Sequence, residues 1–151
     1  MPFSRRSFFA RLLPAVMGGT VGATLPVSKA GATGTVQKVV YHLSEPGRVN
    51  FVLGNIRNHI EGKGGPAKVR IVLVVHGPAL KAFEDAKASP DMKRQVAARV
   101  ADGVALVACG NTLHGLSMDE SQLMDGFSVA SEGGVVRIAD LQAEGYLYIR
   151  P

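Results

Sequence analysis

One cysteine and four histidines carry most of the reactive chemistry open to this 151-residue chain. One histidine is placed like the cysteine. Cys109 closes the apolar run Val104-Ala105-Leu106-Val107-Ala108 and precedes Gly110-Asn111-Thr112. His76 closes Ile71-Val72-Leu73-Val74-Val75 and precedes Gly77-Pro78. Each segment is an apolar strand, one reactive residue, then glycine and a turn. Both side chains are therefore expected at the carboxyl ends of strands, the edge where open α/β sheets bind ligands. A thiolate is the reactive form of cysteine. Amides at a helix start after Cys109 would favour it by about 0.3–1 kcal/mol when exposed. Gly110 allows close backbone approach and unusual dihedrals, and the Asn111 and Thr112 side chains are placed to orient a species bound at the sulfur. His76 offers a base, an orienting donor or a ligand. The ordinary alternatives stay open. Free cysteine is among the most buried residue types and often only packs, and a strand-end histidine is readily satisfied by local backbone.

The other histidines add less. His42 lies inside the first strand and reads as structural, His59 lies on the first helix, and His114 either lines the same edge or is solvated. Four histidines without tight spacing and one cysteine do not make a zinc site, so neither a metal nor a cofactor is expected. The first strand is followed by Leu43-Ser44-Glu45-Pro46-Gly47 rather than G-x-G-x-x-G. P-loop, G-x-S-x-G and C-x-x-C motifs are also missing, so nicotinamide binding, phosphoryl transfer, serine hydrolysis and dithiol cycling lack their usual signatures.

The elements that must position these residues alternate in type. Strands are expected at Val36 to Leu43, Val69 to Val75, Val104 to Ala108, Phe127 to Ala130 and Tyr146 to Ile149. A helix over Arg48 to Glu61 carries Val49, Val52, Leu53, Ile56 and Ile60 on one stripe. Asn55 and Asn58 lie beside it and suit a pocket wall, a subunit contact or a solvated face. Pro78 to about Ala86 reads as a helix begun by proline, and Ser89-Pro90 caps another that Gly103 stops. Ser117 and Glu120 form a capping-box pattern before a short helix. Val135 to Glu144 is the last helix, stopped by Gly145. The Gly133-Gly134 pair is expected to loosen its start and to touch no candidate site. Strands alternating with helices predict an α/β fold with a mainly parallel sheet covered on both faces.

The N-terminus reads as an address. Ser4-Arg5-Arg6-Ser7-Phe8-Phe9 matches a twin-arginine signal apart from Phe9 in place of leucine and Ala10 in place of the usual lysine. A weakly apolar stretch from Leu12 to Val27 and the A-x-A site Ala30-Gly31-Ala32 follow, with Ser28-Lys29-Ala30 as an alternative cleavage site. The stretch is shorter than the roughly 20 residues that span a bilayer. Residues 1–32 are thus expected to be a cleaved signal peptide, 33–35 a linker and 36–151 the domain, periplasmic and with no stable membrane span after cleavage. Arg5, Arg6, Arg11 and Lys29 account for four of the 17 basic residues, leaving 13 against 12 acidic ones. The overall charge of +5 therefore does not mark a basic stripe, and nucleic acid is not expected as a partner. A lone cysteine precludes an internal disulfide.

Several stretches together resemble the DsrE/DsrF-like family, in its branch of small exported proteins. They are Val39-Val40-Tyr41-His42, Asn55-Ile56-Arg57-Asn58-His59, Val75-His76-Gly77-Pro78, Gly103-Val104, Ala108-Cys109-Gly110-Asn111-Thr112-Leu113 and Leu141-Gln142-Ala143-Glu144-Gly145-Tyr146-Leu147-Tyr148-Ile149. The resemblance spans about Val36 to Pro151. It implies a three-layer α/β/α domain with a five-stranded, mainly parallel sheet, and homo-oligomers, trimers or hexamers. It also implies that Cys109 carries persulfide sulfur, exchanging it with small sulfur species or partner-protein thiols.

Three functions follow as alternatives. The first is a sulfur carrier or sulfurtransferase using the single thiolate of Cys109. The second is a non-enzymatic oligomeric binding protein in which Cys109 only packs. The third is a thiol redox sensor oxidised to sulfenic acid.

Overall fold

The computed structural model describes residues 36–151. The signal peptide and linker expected over 1–35 lie outside the described residues. Five strands, β1 (Gln37–Leu43), β2 (Val69–Val75), β3 (Ala105–Cys109), β4 (Phe127–Ala130) and β5 (Leu147–Ile149), form one sheet in the order β4-β3-β2-β1-β5. Every pairing is parallel. Four α-helices, α1 (Val49–Gly62), α2 (Pro90–Ala101), α3 (Gly110–Leu116) and α4 (Gly134–Ala143), connect the strands. Among the described residues, no helix is long and apolar enough to cross a membrane.

The strand order follows from where the chain moves. It steps outward from β1 to β4, then α4 carries it back over β3, β2 and β1 to place β5 on the far side of β1. The two faces of the sheet are covered separately. Val39, Tyr41, Leu43, Ile71, Leu73, Val75, Leu106 and Ala108 pack with the helix α1 stripe and with Val96 of α2. Val40, Val72, Val74 and Val107 pack with Ile138 and Leu141 of α4. Successive strand residues point to opposite faces, so a strand buried on both sides must be apolar throughout, as β2 is.

Local signals set most boundaries. All five residues expected on the α1 stripe are buried. The Ser89 hydroxyl accepts from the Met92 amide at 3.1 Å, with Pro90 in the first turn of α2. Gly103 (φ 80°) and Gly145 (φ 88°) take the left-handed conformation that ends α2 and α4, where glycine has no Cβ penalty.

Two expectations are corrected. The segment after His76 is not an α-helix. It is a 3-10 helix over Gly77–Phe83, broken at Glu84 before a second one at Asp85–Lys87. Its backbone is claimed by neighbours: the Ala79 amide donates to Ser44 O at 3.2 Å and Phe83 O accepts from Met124 N at 2.9 Å. Burial of Ala79, Leu80 and Phe83 then fixes a tighter path than the sequence suggests. The capping box is also shifted. It joins Asp119 and Gln122, whereas Ser117 (φ 51°) is the left-handed residue that closes α3. The following helix is a single 3-10 turn, Glu120–Gln122.

Candidate functional site

Cys109 is the last residue of β3 and the residue from which α3 starts without any loop. Its side chain points to the face covered by α4, and Cys109 is 6% exposed. Burial acts most strongly on the thiol and pushes its pKa up. The Thr112 hydroxyl and the backbone amides of Gly134, Thr112 and Asn111, all donating to the sulfur, outweigh it and hold the thiol below its ordinary value. Hydrogen bonds to the charged form favour that form. The site therefore favours the thiolate more than burial alone would allow.

Thr112 does more than donate to sulfur. Its Oγ1 accepts from the Gly77 amide at 3.0 Å, so one hydroxyl ties the chain just after β2 to the first turn of α3. Gly110 provides close approach, as expected. A Cβ there would lie 2.9 Å from the Ala130 carbonyl oxygen. It does not adopt a positive φ, so unusual dihedrals are not its role. Asn111 is exposed on α3, and its Nδ2 would be 2.7 Å from a Cβ on Gly133. His114 is exposed on the same short helix.

The Gly133-Gly134 pair belongs to the site, contrary to expectation. A Cβ on Gly134 would stand 3.1 Å from Cys109 Cβ and 3.4 Å from both His76 Cβ and Val74 Cγ1. Only a residue without Cβ lets the α4 backbone come close enough to donate to the sulfur. The same distances place His76 beside Cys109, because the strands they end are neighbours in the sheet. The parallel register agrees, because Val75 pairs with Ala108 one residue earlier.

His42 and Tyr148 were not singled out as functional, yet they complete the arrangement. Tyr148 hydroxyl meets His42 Nδ1 at 2.6 Å, and His42 Nε2 meets His76 Nε2 at 2.5 Å. Arg150 pairs with the Glu45 carboxylate and also reaches Ser44 Oγ at 3.2 Å. Burial, foremost, lowers the pKa of both His42 and His76. Arg150 lowers both further, His76 adds to the effect on His42, and Glu45 opposes it in each case. Both imidazoles are thus neutral near pH 7. The missed signal was alternation: Val40 and His42, Val74 and His76, Val107 and Cys109, and Tyr146 and Tyr148 each lie two apart, which puts all four polar residues on one face of the sheet.

His59 stands apart on the other face. Its Nδ1 meets Tyr41 hydroxyl at 2.9 Å and its Nε2 meets Gln37 Oε1 at 3.3 Å. Among the described residues, no three His, Cys, Asp or Glu side chains cluster in a way that could hold a metal ion.

The fold and site define a class: a three-layer α/β domain with an all-parallel five-stranded sheet and a stabilised cysteine at its carboxyl edge. The model of the DsrE/DsrF-like family matches residues 37–151, and the chain belongs to that family. A Methanobacterium thermoautotrophicum protein of unknown function, MTH1491, is similar at 31% identity, with a TM-score of 0.67 over 76% of this chain and 99% of that one. The ychN protein from E. coli superposes with a TM-score of 0.60 at 13% identity, covering 78% of this chain and 100% of that one. BT1422 of Bacteroides thetaiotaomicron, a conserved protein of unknown function, gives 0.59 at 12% identity, covering 80% and 99%. These two share the fold. No curated protein matches the chain.

Proposed function

We propose that the protein is a persulfide carrier in which Cys109 accepts sulfane sulfur and releases it to another thiol. The observation that supports this is the thiolate-favouring shell of Thr112, Asn111 and Gly134 around a sulfur at the carboxyl edge of the sheet. Membership of a sulfur-relay-like family agrees with it. Attack of Cys109 Sγ on a sulfane sulfur needs one thiolate and no second cysteine, which suits a chain with one. The donors and acceptors are small sulfur species or partner-protein thiols. Incubation with polysulfide followed by intact-mass measurement tests the reading. A +32 Da adduct (about one sulfur atom) on Cys109 is the expected result, and a protein that stays unmodified while alkylating readily would end it.

Low exposure of Cys109 favours a second reading, a packing cysteine in an oligomeric binding protein. Labelling with a bulky thiol reagent separates the two, since a packing cysteine reacts only after denaturation.

Two further properties belong to the proposal. The chain is exported by the twin-arginine route, on the strength of Arg5-Arg6, the weak apolar stretch and Ala30-Gly31-Ala32. Replacing both arginines by lysine should leave the precursor in the cytoplasm. The domain assembles as a homo-oligomer, a trimer or hexamer, a reading to which exposed Phe51, Val135 and Leu147 lend support. Light scattering that gives a monomer at micromolar concentration would overturn this.

A further inference from the structure

We propose that Tyr148, His42 and His76 form a proton relay that serves Cys109, with His76 as the general acid toward the leaving thiolate and His42 and Tyr148 as the positioning residues that reload it. The inference rests on the sulfur-carrier reading above and deepens it.

The geometry of the imidazole pair carries the argument. Carbon atoms in face-to-face contact stay about 3.5–4.0 Å apart. Here Nε2 of His42 and Nε2 of His76 are 2.5 Å apart while the ring centroids are 4.6 Å apart and the planes differ by 24°. The rings therefore meet head to head through their nitrogens, in nearly a common plane. That is the orientation of an N–H···N hydrogen bond, here shorter than the ordinary range, and two neutral imidazoles can make one only if a single proton lies between the two nitrogens. Tyr148 hydroxyl meets the other nitrogen of His42, Nδ1, at 2.6 Å. Tyr148 is 41% exposed, so the chain begins at solvent. It ends at His76, whose Cβ and that of Cys109 flank the same Gly134.

One set of tautomers makes the chain directional. Tyr148 O–H donates to His42 Nδ1, His42 Nε2–H donates to His76 Nε2, and His76 Nδ1–H remains for the reacting group. A proton then passes by a shift of each hydrogen along the chain, and each imidazole changes tautomer without becoming charged. This suits groups that burial keeps neutral. The charged and titratable groups facing the relay are few. Arg150, next along the chain from β5, and Glu45, after β1, form an ion pair beside it. Arg150 lies within electrostatic reach of Tyr148. Helix α4 offers Gly134 at this point, and β3 offers Cys109. The relay also spans the sheet from β5 and β1 to β2. The β1–β5 boundary is where the strand order reverses direction, the place at which open α/β sheets form their ligand crevice.

Persulfide exchange needs such a proton. Cys109 Sγ, as thiolate, attacks the sulfane sulfur of a donor R–S–S–H. The Sγ–S bond forms, the R–S bond breaks, and its electron pair leaves on R–S⁻. His76 protonates R–S⁻ to R–SH, His42 replaces the proton on His76, and Tyr148 replaces that on His42. The new Cys109–S–S–H ionises to His76 Nδ1, and the hydrogens shift back along the chain to Tyr148, which restores the first set of tautomers. The balance is Cys109–S⁻ plus R–S–S–H giving Cys109–S–S⁻ plus R–SH, with no outside oxidant or reductant.

Two reactions of the same thiolate test the relay. Loading from glutathione persulfide expels a basic thiolate, whereas alkylation by iodoacetamide expels iodide and needs no proton. In His76→Gln we expect loading at pH 7 to slow about 100-fold, within the usual range for loss of a general acid, while alkylation changes less than about twofold. The persulfide of an acidic aromatic thiol should recover most of the lost rate. His42→Gln and Tyr148→Phe should slow loading about tenfold and flatten its pH profile. Equal slowing of loading and alkylation in His76→Gln, or no slowing of either, overturns the relay. Nitrogen NMR of labelled imidazoles judges the relay independently of sulfur chemistry. The His42 and His76 resonances should titrate as a coupled pair and shift in Tyr148→Phe, and independent titration would overturn the relay. If the unmutated protein alkylates but loads from neither donor, the carrier reading fails, and the NMR result still decides whether the relay exists.

Discussion

Gly134 donates its backbone amide to the sulfur of Cys109 from the first residue of a helix that crosses the sheet to reach it. A thiol buried in an apolar surround would resist ionisation. The donation from α4, added to those of Thr112 and Asn111, reverses that tendency. The sulfur is therefore held by two helices that the chain brings together only after β4 is in place.

Cys109→Ser should abolish persulfide loading and leave the fold intact. The serine hydroxyl inherits the donors that Thr112 and the three amides aim at the sulfur, so it is not left unsatisfied, a defect that would cost about 1–3 kcal/mol. Mass spectrometry and a urea melt together check this. A variant that still gains sulfur would remove Cys109 from the mechanism.

Gly134→Ala should damage the site in two ways. The added methyl would sit 3.1 Å from Cys109 Cβ, and such overpacking costs about 1–3 kcal/mol. Relief of that contact moves the α4 amide away from the sulfur, so the thiol pKa rises and alkylation at pH 7 slows. The pH dependence of iodoacetamide reaction measures the shift. An unchanged titration would mean that the α4 amide does not matter to the thiolate.

Thr112→Val removes a donor to sulfur and an acceptor for Gly77 N. The variant should lose about 1–3 kcal/mol for the stranded amide and show a raised thiol pKa. Thr112→Ser should restore both, because it keeps the hydroxyl. Failure of serine to rescue would show that the methyl group, not the hydroxyl, is what counts.

Stability should fall on mild acidification. His42, His59 and His76 all have folded pKa values lowered by burial in the first place, whereas in the unfolded chain histidine titrates near about 6.5. Below that pH the unfolded chain binds more protons than the folded one, so stability drops as pH falls through about 6.5 and keeps dropping toward the lowered folded values. Urea midpoints at pH 7.5 and 5.5 provide the comparison, and His59→Gln should shallow the slope without touching Cys109. A midpoint that is equal or higher at pH 5.5 would contradict this.

Ser89→Ala should cost about 1 kcal/mol through loss of the α2 cap. Alkylation of Cys109 should be unaffected, since α2 lies on the opposite face of the sheet.

What the sequence determined by itself was local. The stripe of Val49, Val52, Leu53, Ile56 and Ile60, the uninterrupted β2 run, the Ser89 cap and the glycine stops are each set by residues within a few positions of one another, so periodicity and capping chemistry suffice to read them. The matched places of His76 and Cys109 were legible for the same reason, because each needs only the end of its own strand. The strand order was decided by tertiary structure, since it depends on α4 crossing the sheet rather than on any strand's own composition. Pairing of His42 with His76 and Tyr148, and the approach of Gly134 to Cys109, then follow from that order. Alternation placed these side chains on a common face, but only the packed sheet could make residues from four strands into neighbours. The 3-10 path after His76 belongs with them, for its backbone answers to Ser44 and Met124 rather than to its own sequence.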